Sequence, residues 1–252
     1  MKKTYIITLI TLLTLASCGK SKEELELEKT KIELEKVKFE LAEKIQTEKQ
    51  KQIEAKNNYL LKQHEQKVNV GKQKRQTELR EALNQANLAL QRAENNYNEI
   101  NEFQIGRSQY TKDQQLGDAR NQINKMSNYI KNVKTEIPEL ELSNTFDFQK
   151  KPEDVVKHLF LAAKNKDFSK LRYICDPYAE NDSDTQGLCY TGILPQSDQD
   201  RFIKNFKNGR IIGKSITNGN EAEVEFAFGQ SSNRLEKIKL INRMGNWYLE
   251  SF

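Results

Sequence analysis

The feature that most constrains the fold is an uninterrupted helix-forming segment near the N-terminus. No Pro or Gly occurs between Ser21 and Val70, where Glu, Lys, Leu and Gln dominate. These four residue types favour helices, whereas Pro and Gly interrupt them. Glu–Lys pairs three residues apart, with the acid on the N-terminal side, recur here and support a solvated helix. The sequence therefore predicts a long charged helix within residues 18–71.

The apolar residues of this helix lie in two stripes, one with Leu27, Leu34, Val37, Leu41 and Ile45, the other with Leu25, Ile32 and Phe39. Two stripes indicate more than one neighbour, either in a helical bundle or against a membrane surface. The pattern fades between Ile53 and Val70, so we expect partner contacts to weaken there.

Beyond Gly71 the apolar spacing becomes regular. Two runs of equal length alternate steps of four and three residues: Leu79, Leu83, Ala86, Leu90, Ala93, Tyr97 and Ile100, then Leu116, Ala119, Ile123, Met126, Ile130, Val133 and Ile137. This spacing is typical of coiled coils, and the short connector favours an antiparallel helical hairpin over residues 72–137. The alternative is pairing with another chain, in a homo-oligomer or with another protein. After Pro138, residues 138–150 are predicted to be a linker.

The N-terminus has the three-part layout of a secretory signal. Lys2 and Lys3 precede an apolar stretch from Thr4 to Leu15, and small residues follow. As a helix this stretch would reach about 18 Å, short of the roughly 30 Å hydrocarbon core, so a permanent membrane span is disfavoured.

Leu15-Ala16-Ser17-Cys18 resembles the lipobox of bacterial lipoproteins. The resemblance implies removal of residues 1–17, attachment of diacylglycerol to the Cys18 thiol and usually acylation of the new amine, with palmitate as the acyl group. Two or more acyl chains anchor a protein stably in a membrane. No Asp follows the cysteine, which favours the outer membrane, on its periplasmic side or at the cell surface. The alternative is an ordinary cleaved signal in which Cys18 has no role.

The composition changes after residue 150, where aromatic residues and turn dipeptides become frequent. Helices are predicted from Pro152, from Asp167 and over Gln196 to Phe206. Strands are expected at about 210–217, 221–228, 234–242 and 246–251. Residues 151–252 are therefore predicted to form an α+β domain, with three helices on a curved antiparallel sheet of four strands.

The sheet register follows from the alternation of charge and apolar character. Pairing Glu225 with Lys237 and Glu223 with Lys239 places opposite charges on the solvent face. The same register opposes Val224 to Ile238 and Ala222 to Leu240 on the core face.

This order of elements resembles the nuclear transport factor 2-like superfamily, in which a curved sheet wraps helices into a cone. The matching sequences are Pro152-Glu153-Asp154-Val155-Val156, Lys166-Asp167-Phe168-Ser169-Lys170-Leu171, Gly219-Asn220-Glu221-Ala222-Glu223-Val224 and Gly245-Asn246-Trp247-Tyr248-Leu249. The resemblance covers only 150–252 and is closest to uncharacterised domains of this type on bacterial lipoproteins. Its enzymatic members, ketosteroid isomerase-like and polyketide cyclase-like, place an Asp or His base and a Tyr inside the cone.

The sequence predicts no catalytic residue, no cofactor and no metal site. The only histidine of the domain, His158, fits a packed or partly exposed helix position. No acid lies at a recognisable catalytic spacing from Tyr173, Tyr178 or Tyr190. The acidic run from Asp176 to Asp184 lacks the ligand spacing of a calcium loop and is interpreted as a solvated loop.

Cys175 and Cys189 are predicted to form a disulfide. The chain has three cysteines, and lipid on Cys18 leaves two in an exported domain, where thiols are usually oxidised. A bridge would close a loop of about 15 residues and stabilise the domain by roughly 3 kcal/mol in the chain-entropy model. Two separately buried thiols are the alternative, because Cys175 follows Leu171 and Ile174 on an apolar helical face.

The charge distribution argues against nucleic acid as a partner. The net charge of +5 includes two leader lysines, and the other Lys and Glu residues are interleaved rather than gathered into a basic patch. We therefore expect a non-catalytic envelope protein, held on the membrane by lipid on Cys18, whose stalk presents a small binding domain. The alternatives are a self-associating structural stalk capped by the domain and a cone-pocket enzyme.

The substitution Cys18→Ser tests the anchor because it removes the thiol to which lipid would be attached. We expect the variant to lack the lipid mass and to leave the membrane fraction of cells, measured by fractionation and mass spectrometry. A Cys175→Ser, Cys189→Ser double variant should stay with the membrane. The anchor assignment is wrong if Cys18→Ser remains wholly membrane-bound with no change in modification.

Overall fold

The computed structural model describes residues 21–102 and 109–252. The predicted signal, residues 1–17, and the lipidation site Cys18 lie outside these residues. The α-helices are α1 (Lys22–Glu102), α2 (Gln109–Glu139), α3 (Pro152–Asn165), α4 (Ser183–Cys189) and α5 (Gln196–Phe206). The strands are β1 (Arg210–Ile211), β2 (Ile216–Asn218), β3 (Glu221–Phe228), β4 (Arg234–Arg243) and β5 (Asn246–Ser251). Short 3-10 helices occupy Asp147–Lys150, Leu171–Ile174 and Thr191–Ile193.

Helix α1 is one continuous element and passes through Gly71 without a break. The chain divides into two compact units, one ending at Lys62 and the other running from Gln63 to Phe252. The second unit therefore contains the C-terminal part of α1 together with α2 and the α+β domain. None of the described helices has an apolar stretch long enough to cross a bilayer.

Within the second unit, α1 and α2 are antiparallel. The Lys112 ammonium donates to the Asn101 carbonyl at 2.7 Å, and Gln76 donates to the Ile137 carbonyl at 3.2 Å. Between these two points, the Arg120 guanidinium donates to the Tyr97 hydroxyl at 2.8 Å. Every residue of the two predicted apolar runs is buried or half-buried. The regular spacing thus identified the inward faces of both helices.

The segment 138–150, predicted to be a linker, contributes to the core. Leu140 and Leu142 are buried with the hydrophobic residues of the domain. The buried Gln149 side chain accepts a hydrogen bond from the Phe146 amide at 2.9 Å and donates to the Tyr173 carbonyl at 3.0 Å. These contacts join the end of the hairpin to the domain.

The sheet is antiparallel and has five strands, not the four predicted. The strands lie in the order β1-β3-β4-β5, and β2 also pairs with β3. The strand expected at 210–217 is divided into β1 and β2, with Gly213 between them at φ +71°. This left-handed conformation suits glycine and interrupts extended backbone, which explains the division.

The predicted register of β3 and β4 is confirmed. Glu223 lies opposite Lys239 and Glu225 opposite Lys237, with Val224 opposite Ile238. The apolar partners are buried, so this face of the sheet belongs to the core. The ion pair on the solvent face runs diagonally, from Lys237 Nζ to Glu223 Oε1 at 2.6 Å.

The prediction of the second domain helix, from Asp167, is wrong. Residues 167–171 are largely a turn, in which Asp167 accepts from the Ser169 amide at 3.0 Å, and a 3-10 helix follows. The missed helix is α4, which begins after Asp182. The Asp182 carboxylate accepts from the Thr185 amide at 2.8 Å, which is the hydrogen bond of a helix N-cap. The interpretation of this acidic segment as a solvated loop was therefore wrong for its helical part, although Glu180, Asp182 and Asp184 are exposed to solvent.

Candidate functional site

The two domain cysteines lie at disulfide distance, as the sequence predicted. Their sulfur atoms are 2.13 Å apart and their Cα atoms 5.8 Å apart. Both residues are buried, and Cys175 also forms a backbone bridge with Leu249 of β5. The pair joins the end of α4 to the chain beside β5 and closes the segment between them.

Part of that segment, residues 176–182, packs directly on α1, and we call it the docked loop. A Cβ atom at Gly71 would meet the Pro177 carbonyl oxygen and would lie 3.0 Å from Tyr178 Cα. The absence of a side chain at residue 71 is therefore what lets the backbones approach so closely. Only the second unit of the chain is involved, since α1 contributes here from Gln63 onwards.

Polar side chains of α1 on both sides of Gly71 form hydrogen bonds with the docked loop. His64 Nδ1 is hydrogen-bonded to the Tyr178 hydroxyl at 2.7 Å. The Lys74 ammonium donates to the Ala179 carbonyl at 2.7 Å, and Arg75 donates to the Asn181 side-chain oxygen. Ala179 has a positive φ of 56°, an uncommon conformation for alanine, which these contacts help to maintain.

The docked loop also holds a buried ion pair. The Asp176 carboxylate is fully buried and accepts from Arg243 Nε at 3.1 Å and from an Arg243 terminal nitrogen at 2.8 Å. Arg243 also pairs with Glu180 and lies 4.3 Å from the centre of the Tyr178 ring. Burial lowers the pKa of Arg243, but hydrogen bonds and charge from Asp176 and Glu180 outweigh burial and raise the pKa. Asp176 is thus structural, not solvated as predicted.

A second buried polar cluster joins both hairpin helices to the domain. Arg75 is 2% exposed and donates to Glu78 at 2.6 Å, while Glu136 of α2 pairs with Arg172 at 2.7 Å. Burial raises the pKa of Glu136, and the charge of Arg172 opposes that rise. Burial also raises the pKa of Tyr190 to about 12, so this phenol is protonated at neutral pH.

The candidate catalytic side chains are not gathered in a cleft. His158 stacks on Phe148 with ring centres 4.0 Å apart, and burial lowers its pKa, which favours the neutral ring. Its Nε2 atom has no hydrogen-bond partner within residues 21–102 and 109–252. Three clefts lie on the second unit: one beside β2 and β3, one beside α4 and α5, and one between Lys67 of α1 and Tyr178. Neither His158 nor Tyr190 lines any of them, and Tyr178 lines only the cleft beside Lys67.

The largest of these clefts, about 540 Å³, lies beside β2 and β3. Its charged lining consists of Glu180, Asp182, Glu221, Glu223, Lys239 and Glu250. Among the described residues, no group of three or more His, Cys, Asp or Glu side chains is arranged to hold a metal ion.

A cleft of about 370 Å³ between α4, α5 and the β3–β4 hairpin has an aromatic floor. We call it the aromatic cleft; it is lined by Phe202, Phe206, Phe228 and Phe252, by Leu188 and Leu194, and by charged residues of both signs: Arg201, Arg234, Asp184, Asp198 and Glu236. Phe206 is central, with ring centres 4.9 Å from Phe202 and 5.5 Å from Phe228. The Arg234 guanidinium lies 4.5 Å from the Phe228 ring centre.

The aromatic cleft can take an apolar group beside charged rim residues. Its volume falls within the roughly 300–1,000 Å³ of small-ligand sites, which are usually apolar with a few polar groups for orientation. Sequence reasoning did not identify this cleft. The available signals were Phe202 and Phe206, four residues apart on one helix face, and Phe226 and Phe228, two apart on one strand face.

No family model, curated protein or solved structure matches this chain.

Replacing Arg243 by alanine should destabilise the second unit because it leaves the Asp176 carboxylate buried and unpaired. We expect a loss of about 3 kcal/mol, the lower end of the range for broken buried pairs, because Arg243 is partly solvated. Urea unfolding followed by circular dichroism measures this loss. The matched control is Lys237→Ala, which breaks the solvent-face pair with Glu223 and should have little effect. Equal stabilities for the two variants would contradict the structural role of Asp176.

Proposed function

We propose that this protein is a lipid-anchored binding protein of the cell envelope, without catalytic activity, which takes its ligand in the aromatic cleft. Lipid on Cys18 would hold it on the outer membrane, and the charged helix would connect the anchor to the domain. The observation that carries the binding role is the aromatic floor of a cleft built from four elements of the domain. We further propose that the α+β domain is a nuclear transport factor 2-like cone.

The lining of the aromatic cleft indicates the class of ligand. Its floor is formed by the small exposed parts of core phenylalanines: Phe202 is 5% exposed, Phe206 3% and Phe228 4%. An apolar or aromatic group would contact these rings, since ring contacts favour offset and edge arrangements. The charged lining adds the guanidinium groups of Arg201 and Arg234 and the carboxylates of Asp184, Asp198 and Glu236, and Arg201 pairs with Asp198 at 2.6 Å. A ligand with an apolar body and a polar end that meets charges of both signs, such as part of an envelope protein, suits this lining.

The interior favours binding over catalysis. A general base needs an accessible group whose pKa lies near the working pH. Here the buried acids Asp176 and Glu136 are paired with arginines, and the Tyr190 phenol has a pKa of about 12. These groups support the packing of the hairpin and the docked loop against the domain.

An anionic naphthalene dye, anilinonaphthalene sulfonate, tests the aromatic cleft in the purified full-length protein. We expect saturable fluorescence enhancement, and Leu188→Glu should weaken dye binding roughly tenfold, because it replaces an apolar wall contact by a like charge. Leu161→Glu is the matched control, since Leu161 is 52% exposed on α3 and does not line the cleft.

Circular dichroism must show that both leucine variants are folded. If the dye does not saturate, or if Leu188→Glu and Leu161→Glu bind it equally, the aromatic cleft is not a ligand site.

A further inference from the structure

The first unit of the chain exposes a row of large apolar side chains on α1. The exposed fractions are 58% for Leu27, 54% for Leu34, 58% for Val37 and 56% for Leu41. The apolar rows of the hairpin, by contrast, are buried or half-buried. A continuous exposed apolar row is the usual mark of an interaction surface. We call residues 26–45 the exposed seam.

The spacing of the exposed seam fits a helix as its partner. Leu27, Leu34 and Leu41 recur every seven residues, which places them at the a positions of a heptad. The d positions in the same frame are Thr30, Val37 and Lys44, so Val37 is the one apolar residue among them. Helices with a repeat of seven pack along their a and d residues against another helix with the same repeat.

The charges beside the seam decide which helix fits and in which direction. The g positions are Glu26, Glu33 and Glu40, whereas the first two e positions are Lys31 and Lys38. In a parallel, in-register pair, each g residue faces the following e residue of the other helix. An antiparallel pair would instead bring g beside g and e beside e, so that Glu would face Glu and Lys would face Lys.

We propose that the exposed seam pairs with the same segment of a second copy of this chain as a parallel, in-register coiled coil. Glu26 of one copy then faces Lys31 of the other, and Glu33 faces Lys38, on both sides of the leucine row. The second stripe, Leu25, Ile32 and Phe39, falls at f positions and points away from the seam. The inference goes beyond ligand binding and depends on neither the aromatic cleft nor lipid on Cys18.

Cysteine cross-linking of the full-length protein in cells tests orientation and register together. Leu27→Cys places a thiol at the end of the seam, where only a parallel, in-register pair brings the two copies of residue 27 together. After mild oxidation we expect a covalent dimer at roughly tenfold the yield of Ile32→Cys, whose side chain lies at an f position. The natural chain measures the cross-linking that its own cysteines produce. If Cys18 carried no lipid, its free thiol could cross-link in this control, so that failure would be seen separately.

Charge reversal in the Leu27→Cys background provides the second test. Lys31→Glu with Lys38→Glu puts Glu on both flanks, and Glu26→Lys with Glu33→Lys puts Lys on both. We expect each double variant alone to lose cross-linking roughly tenfold and co-expression of the two to restore it as a mixed dimer. The proposal is overturned if Leu27→Cys does not exceed the natural background, if Ile32→Cys links equally well, or if charge reversal has no effect.

Discussion

The contact between Gly71 of α1 and the docked loop is the constraint on which the second unit depends. Two stretches of backbone meet where a Cβ atom would strike the Pro177 carbonyl. Glycine in the middle of a helix costs about 0.5–1 kcal/mol relative to alanine. The contacts that the close approach permits offset this cost. It allows His64, Lys74 and Arg75 to reach the docked loop, which places the C-terminal part of α1 in the same compact unit as the domain.

The docked loop connects the Gly71 contact to the wall of the aromatic cleft. Cys175 precedes the loop and pairs with Cys189 at the end of α4, so α4 is held at both ends. Gln186 of α4 donates to Glu78 of α1 at 2.9 Å, and Leu188 of α4 lines the cleft. The wall of the proposed binding site is thus supported directly by α1. Buried ion pairs contribute little net stability. We therefore assign the Asp176–Arg243 pair the role of fixing the orientation of the docked loop.

Features set by local pattern could be predicted from the sequence. The register of β3 and β4 followed from alternating charge and apolar character, and the inward faces of α1 and α2 followed from the four-three spacing. The pairing of Cys175 with Cys189 followed from counting thiols in an exported domain. In each case the deciding residues are close in sequence or few in number.

Features set by distant partners could not be predicted. Asp176 is buried because Arg243, 67 residues away, neutralises it, and acidic composition alone suggested a solvated loop. The requirement for Gly71 comes from Pro177 and Tyr178, far along the chain. The N-cap role of Asp182 was a local signal, but the polarity of the surrounding segment concealed it. The aromatic cleft likewise needs Phe202 and Phe228 from separate elements.

The most direct test of this account compares Gly71→Ala with Gly117→Ala in the full-length protein. Both glycines lie inside helices, but a Cβ at Gly117 has nothing within 4 Å among the described residues. We expect Gly117→Ala to raise the free energy of unfolding by about 0.5–1 kcal/mol through helix propensity. Gly71→Ala should lower it by about 1–3 kcal/mol through overpacking against the docked loop. If both substitutions stabilise the protein equally, α1 does not pack on the docked loop as described and the central claim fails.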